Sequence, residues 1–235
     1  MSGPQRWIFL ILIGLGGAGF LMSLGLWQVS RLAEKEALIA TLRTRLAAVP
    51  LLVAGTETPE DFNYRRAKAS GQYLFEEEPI TFPASLKPHG PGERWIMPFA
   101  LTTGETILVD RGFVPQLGEG VRPDGGLVVL VGVLHWPRET TSFTPEPNTA
   151  LGRWFARDVE SMARHFGTEP VMLVLDTPSG ATDRDEFPKP IPVTVSIPND
   201  HLGYAVTWFS LAAIWLAMTL FLMRRTARPS MSQKD

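Results

Sequence analysis

Trp7–Ser30, "WIFLILIGLGGAGFLMSLGLWQVS", carries no charged side chain, and neither does the later run "HLGYAVTWFSLAAIWLAMTLFLM", His201–Met223, if its histidine is taken as neutral. Each exceeds the roughly 20 apolar residues that a helix needs to cross the hydrocarbon core of a bilayer. The first run is too long for a signal-peptide h-region of about 7 to 15 residues, and no A-x-A-like cleavage site follows it. It therefore predicts a permanent anchor. The sequence divides into a first transmembrane helix at 7–30, an extramembrane domain at 31–199, a second transmembrane helix at 201–223 and a basic tail at 224–235.

Composition agrees with that division. In 235 residues, 45% are hydrophobic and 20% charged, and the mean hydropathy is +0.05, the average of one soluble domain and two spans rather than of a polytopic transporter. Net charge is −2, and no nucleic-acid partner is expected. There is no cysteine, which excludes disulfide staples and thiolate metal sites and is compatible with an oxidising compartment.

Orientation follows from the basic residues. The tail "RRTARPSMSQKD" holds Arg224, Arg225, Arg228 and Lys234, and the segment before the first run holds Arg6, so positive-inside reasoning puts both termini in the cytoplasm. Arg31, Lys35, Arg43 and Arg45 pull the other way. They are interleaved with Glu34 and Glu36, and a loop much longer than about 60 residues translocates largely regardless of charge. The central domain is then expected in the periplasm, and the absence of an Arg- and Ser-rich presequence favours a bacterial inner membrane.

Within that domain, Leu32, Leu38, Ile39, Leu42 and Leu46 recur near a helical period without glycine or proline, predicting a juxtamembrane helix at 31–47. After Pro50 the pattern changes to short strand-like runs: "KASGQYLF", "RWIMPFALTT", "ETILVDRGFV", "LVVLVGVLHW", "RWFARD", "VMLVLDT" and "VTVSI". Turn clusters such as "KPHGPGE", "GEGVRPDGG" and "TPEPNTALG" separate them. A mainly antiparallel, barrel- or sandwich-like sheet is expected, with one or two helices, one of them at Val159–Phe166 behind an Asp158 N-cap. Gly71 and Gly112 are candidates for bulges or close backbone approaches.

Several motifs carry no chemistry. "GLGGAG" at Gly14–Gly19 matches G-x-G-x-x-G in form, yet it lies mid-span with no preceding strand. Small residues four apart, Gly14 with Ala18 and Gly19 with Ser23, suggest close helix packing instead. The acidic runs Glu76–Glu78 and Asp183–Glu186 suit solvated turns. There is no H-E-x-x-H and no G-x-S-x-G, and His89, His135 and His165 stand alone. No enzyme is indicated.

His201 differs, because an ionisable group where a helix meets a membrane is a functional candidate. Helical spacing puts His201, Tyr204, Ala205, Trp208 and Trp215 on roughly one stripe. Such a face suits a planar macrocycle: imidazole to iron, Ala205 leaving room, Trp208 bordering the ring. At the matching depth the first span offers Trp27, Gln28 and Arg31, the last as a partner for a propionate. Tyrosine, tryptophan and histidine also gather at bilayer interfaces because they are amphipathic, so the residues alone leave both readings open.

Five segments, "GLWQVSRLAEKEALI" (Gly25–Ile39), "YRRAKASGQY" (Tyr64–Tyr73), "VDRGFVP" (Val109–Pro115), "NTALGRWFARD" (Asn148–Asp158) and "NDHLGYAVTWFSLA" (Asn199–Ala212), occur in order between the two runs. Together they resemble the Surfeit-locus (SURF) family of cytochrome c oxidase assembly factors over nearly the whole chain. The resemblance implies a two-span inner-membrane chaperone of the respiratory chain that helps build the haem a-containing subunit I of a haem–copper terminal oxidase. Its partners would be that subunit and the proteins that make and deliver haem a. It further implies transient haem a binding with His201 as iron ligand; Tyr204, Trp208, Trp27, Gln28 and Arg31 are expected around the cofactor from their spacing and depth. A haem-free scaffold for nascent subunits is the alternative. One departure is visible: the family often has tryptophan before the lysine of the first segment, where this chain has Glu34 before Lys35. Tyr64–Arg66 and Asp110–Gly112 also resemble family positions, and their arginines suit forked pairing with carboxylates inside the domain.

Overall fold

The computed structural model describes residues 3–123, 125–177 and 186–227. The tail beyond Ala227, with Arg228 and Lys234, and Asp183–Asp185 of the second acidic run lie outside the described residues, as does the side chain of Arg6. The chain forms two compact units, 1–41 with 196–235 and 42–195.

Helix α1 (Gly3–Ala47) runs unbroken from the first apolar stretch through the juxtamembrane segment, and α4 (His201–Ala227) covers the second. Both are long and apolar enough to cross a membrane by length and composition. On α1 the better-covered positions are Gly14, Ala18, Leu21, Gly25 and Gln28; on α4 they are His201, Ala205, Trp208, Ala212 and Thr219. Steps of three, four and seven are the seam of two helices that pack side by side. Pairings run in opposite directions. A Cβ on Gly14 would sit 2.1 Å from Thr219, one on Gly17 2.6 Å from Trp215, and one on Gly25 2.4 Å from Phe209. The glycines therefore admit bulky α4 side chains where any larger residue would hold the helices apart. Gly19 meets nothing within 4 Å, and Ser23 is exposed, its hydroxyl donating to the Phe20 carbonyl at 2.7 Å. The Gly19–Ser23 half of the expected packing face thus points outward, because the seam advances through Leu21 and Gly25 instead.

The second unit is a mixed, mainly antiparallel sheet. Its strands are β1 (Leu51–Leu52), β2 (Arg65–Tyr73), β3 (Ile80–Leu86), β4 (Gly90–Leu101), β5 (Thr106–Pro115), β6 (Val128–Leu134) and β7 (Met172–Leu175). A short helix α2 (Pro59–Phe62) precedes β2, and α3 (Val159–Phe166) precedes β7. The order is β1-β2-β6-β7-β5-β4-β3, and β2 also pairs with β4, so five strands follow one another in a closed cycle of pairings. Two pairings are parallel, β1 with β2 and β5 with β7. β2 alternates, with Ala67, Ala69, Gly71 and Tyr73 buried, as expected of a strand with one face on the core. β5 is covered on both faces. Ile107 and Val109 join a cluster with Phe99, Leu130, Leu134 and Leu173; Leu108 joins Ile80, Ile96, Met162 and Trp154 under α3.

Local chemistry explains the ends of these elements. Asp158 caps α3, its Oδ1 accepting from the Ser161 amide at 3.1 Å. The register of β4 and β5 shifts between Trp95 and Ile96, skipping Arg111. Gly112, at φ +108°, closes that bulge, and a Cβ there would lie 2.1 Å from the Lys189 carbonyl. Two strand expectations fail. "RWFARD" makes only isolated bridges, Arg153 with Thr81 and with Asn148, since a turn at Thr149–Leu151 reverses the chain just before it. "VTVSI" lies in no strand: its alternation meets no pairing strand among the described residues. Conversely, β3 forms at the sheet edge across Pro83, a place where the missing proline N–H costs no ladder bond.

Candidate functional site

Two places bring together the residues singled out above, one in each unit. In the helical unit His201 starts α4, with its imidazole turned toward α1. Its Nδ1 lies 2.7 Å from Oε1 of Gln28. An amide oxygen can only accept, so Nδ1 donates and carries the proton. Nε2 has no hydrogen-bond partner among the described residues. Gln28 is 9% exposed, a polar side chain where the α1 side of the seam is otherwise glycine, alanine and leucine.

The remaining candidates lie around this pair. Trp27, next to Gln28, is 51% exposed and lies under the Arg31 guanidinium, 5.7 Å from ring centroid to Cζ. Arg31 also donates to Glu34 at 2.8 Å, so the glutamate that departs from the family pattern occupies the cation expected to meet a propionate. Tyr204 is 58% exposed and Trp208 half-buried. Ala205, expected to leave room for a ring, is 2% exposed and packs in the seam, so its small size admits the neighbouring helix. Trp215 covers Gly17 and donates its indole N–H to the Ile13 carbonyl at 3.2 Å; it serves packing between the helices.

The second place is in the sheet unit, where sequence reading pointed to architecture. Asp110 is fully buried on β5. Its carboxylate lies 2.6 Å from Nη2 of Arg94 and 3.8 Å from Nη1 of Arg157, and its Oδ1 accepts the Gly112 amide at 3.0 Å. Arg157 also pairs with Glu139 through both its side chain and its backbone amide, and together Glu139 and Asp110 raise the guanidinium's pKa above the usual arginine value despite its burial. Burial opposes ionisation of Glu139, but the hydrogen bonds and charge of Arg157 outweigh it and lower its pKa.

A cleft of about 530 Å³ adjoins this network, lined by Asn63, Tyr64, His135, Trp136, Glu139 and Arg157 among others. His135 Nδ1 lies 3.0 Å from Asn63 Oδ1, which also accepts the Trp136 amide at 3.3 Å. Burial, reinforced by the Arg157 charge, lowers the His135 pKa from 6.5 to about 4, so the ring is neutral at physiological pH. The Tyr64 ring sits 4.9 Å from this imidazole on a backbone at φ +65°, a conformation held against its own cost.

Of the expected arginine forks, Arg66 meets Asp176 at 2.9 Å. Arg111 takes no carboxylate among the described residues: it donates to the Val121 carbonyl at 2.9 Å and lies over Tyr73, and burial lowers its pKa. Asn63, Arg94 and Glu139 drew no notice in the sequence. Their one signal was proximity to Tyr64, Trp95 and Trp136, which marks no chemistry by itself. Tyr64, Asp110 and Arg157 come from three of the five segments quoted above and meet here.

Compared with known proteins, residues 16–213 match the model of the SURF1 family. A SURF1-like protein of Monosiga brevicollis is 34% identical over 220 residues, covering 86% of this chain and 83% of the relative. Surfeit locus protein 1 of Rattus norvegicus is 32% identical, with 81% of this chain and 68% of the relative covered. For Surfeit locus protein 1 of Homo sapiens the identity is again 32%, over 88% of this chain and 74% of that protein.

Proposed function

This chain belongs to the SURF1 family, and from that premise we propose that it is an assembly factor of a haem–copper oxidase that holds haem a through His201 and passes it to subunit I. It acts as a chaperone and catalyses no reaction. The reading places α1 and α4 across a respiratory inner membrane, with Arg224 and Arg225 on the inner side and the sheet unit on the outer side.

The observation that carries it is the state of His201. The imidazole is anchored at Nδ1 by Gln28 while Nε2 has no hydrogen-bond partner among the described residues, an arrangement in which a histidine can offer that nitrogen to a metal. The donor set therefore fits a haem iron. When bound, haem a would supply an iron that accepts this nitrogen. His201 would hold it, Trp27 and Tyr204, both largely exposed, would border the ring, and Arg31 would have to exchange Glu34 for a propionate. A single nitrogen ligand on an open helix face favours a fast off-rate, as delivery requires. Support for the haem-free scaffold comes from Arg31, whose pairing with Glu34 leaves no cation free at that position.

The test is a visible spectrum of full-length protein purified in detergent from a host that makes haem a. Haem should co-purify, and His201→Ala should lose most of it while keeping its helical circular dichroism. Colourless wild-type protein would leave the scaffold standing.

A further inference from the structure

The α1 seam is built from Gly14, Ala18, Leu21 and Gly25, and then places Gln28 where the pattern calls for a small or apolar residue. A buried side-chain amide in such a seam costs free energy unless it is hydrogen-bonded. Among the described residues Gln28 has one hydrogen-bond partner, Nδ1 of His201 at 2.7 Å. The bond constrains both ends. A neutral imidazole has two tautomers, and only the one protonated at Nδ1 can donate to the amide oxygen.

We infer that Gln28 is a positioning residue rather than a cofactor contact: it selects the Nδ1–H tautomer of His201 and fixes the ring so that Nε2 is the nitrogen offered as ligand. This rests on the reading of His201 as an iron ligand, but the tautomer itself is a property of the protein alone. The principle is the one by which partners behind metal-binding histidines raise ligand basicity and set ring orientation. The interaction also ties the selection to helix pairing, because Gln28 reaches His201 only while Gly25, one turn away, lets Phe209 approach α1. A shift of α4 along α1 would break the bond and release the tautomer preference together.

The test uses full-length protein labelled with ¹⁵N-histidine in lipid nanodiscs without haem, with the His201 signals assigned by their loss in His201→Gln. Long-range ¹H–¹⁵N correlations should show His201 protonated at Nδ1. Gln28→Leu should move it to a mixture or to the Nε2–H form. Gln28→Glu, which keeps an acceptor oxygen, should restore the wild-type pattern, a rescue that a purely structural role would not give. Wild-type protein protonated at Nε2, or a pattern unchanged by Gln28→Leu, would overturn the inference whether or not haem binds. In protein loaded with haem a, Gln28→Leu should weaken binding by roughly 10- to 100-fold, as for other partners behind a metal ligand; a shifted tautomer with unchanged affinity would overturn the link to ligation. Failure of the wild type to bind haem at all would instead defeat the function proposed above and leave the tautomer result untouched.

Discussion

Asp110 on β5 and Arg94 on β4 form a charge pair at 2.6 Å in which the carboxylate is fully buried and the guanidinium nearly so. With Arg157 at 3.8 Å on the other side, one carboxylate balances two cations, and Arg157 needs Glu139 as well. Asp110→Asn retains an oxygen for the Gly112 amide and removes only the charge. It should cost roughly 3–5 kcal/mol, the usual penalty for stripping one partner from a buried ion pair. Thermal unfolding of full-length protein followed by circular dichroism checks this; a melting temperature equal to that of the wild type would mean that solvent reaches the two arginines.

The helix pair depends on glycine at three levels. Gly25→Leu puts a branched side chain where a Cβ alone would stand 2.4 Å from the Phe209 ring, so α4 should move outward toward the ~8–10 Å axial spacing of helices packed through larger side chains. The chain lacks cysteine, which allows spin labels at Ser23→Cys and Ser210→Cys, both exposed. The label distance should lengthen by about 2 Å or more and broaden. An unchanged distribution would show that Phe209 can swing aside without moving the helix.

Much of this was legible in the sequence, for reasons that differ by element. The two helices follow from uninterrupted apolar length, β2 from the alternation of its small and polar residues, and β5 from its apolar, β-branched run, all local properties. β3 was hidden by Pro83, because a proline demotes a strand unless one knows that it lies at an edge. Its edge position is set by pairing with β4, which no local pattern reports. His201 and Gln28 were each singled out, but as two contacts to a shared cofactor. Their direct bond depends on the rotation of both helices about their axes, which the glycine seam fixes and the spacing of single residues does not. The Asp110 network was missed for a related reason: Arg94, Glu139 and Arg157 converge through the β4–β5 register and two loops, so their charges are neighbours only in the folded chain.

Gly112 combines a left-handed backbone with a contact that admits no Cβ. Gly112→Ala meets both the φ of +108° and the Lys189 carbonyl at 2.1 Å, and must either flatten the bulge at Arg111 or displace the strand of chain at Lys189, whose amide and carbonyl both bond Phe113 at 2.8 Å. A loss of about 2–4 kcal/mol is expected, strain together with the lost bonds. Urea unfolding reads it directly. A loss below about 0.5 kcal/mol, the range of an ordinary surface substitution, would show that the segment at Lys189 yields freely.

His135 makes the stability of the sheet unit depend on pH in a defined window. Its native pKa is about 4, below the ordinary 6.5, so the unfolded chain takes up a proton that the folded one refuses. Above pH 7 both states are neutral and the residue contributes nothing to the slope. As pH falls from about 6.5 to 4, unfolding is favoured progressively, and below 4 the effect levels off because the native ring is protonated too. At about 1.4 kcal/mol per pKa unit, reduced for the solvent that the open cleft admits, the full loss is on the order of 2 kcal/mol. His135→Gln removes the titration and keeps a donor for Asn63. Melting temperatures of the two proteins, measured from pH 7.5 to 4.5, should diverge below pH 6.5, with the wild type falling faster. Parallel curves would mean that the imidazole is protonated in the fold at its ordinary pKa, despite Arg157 beside it.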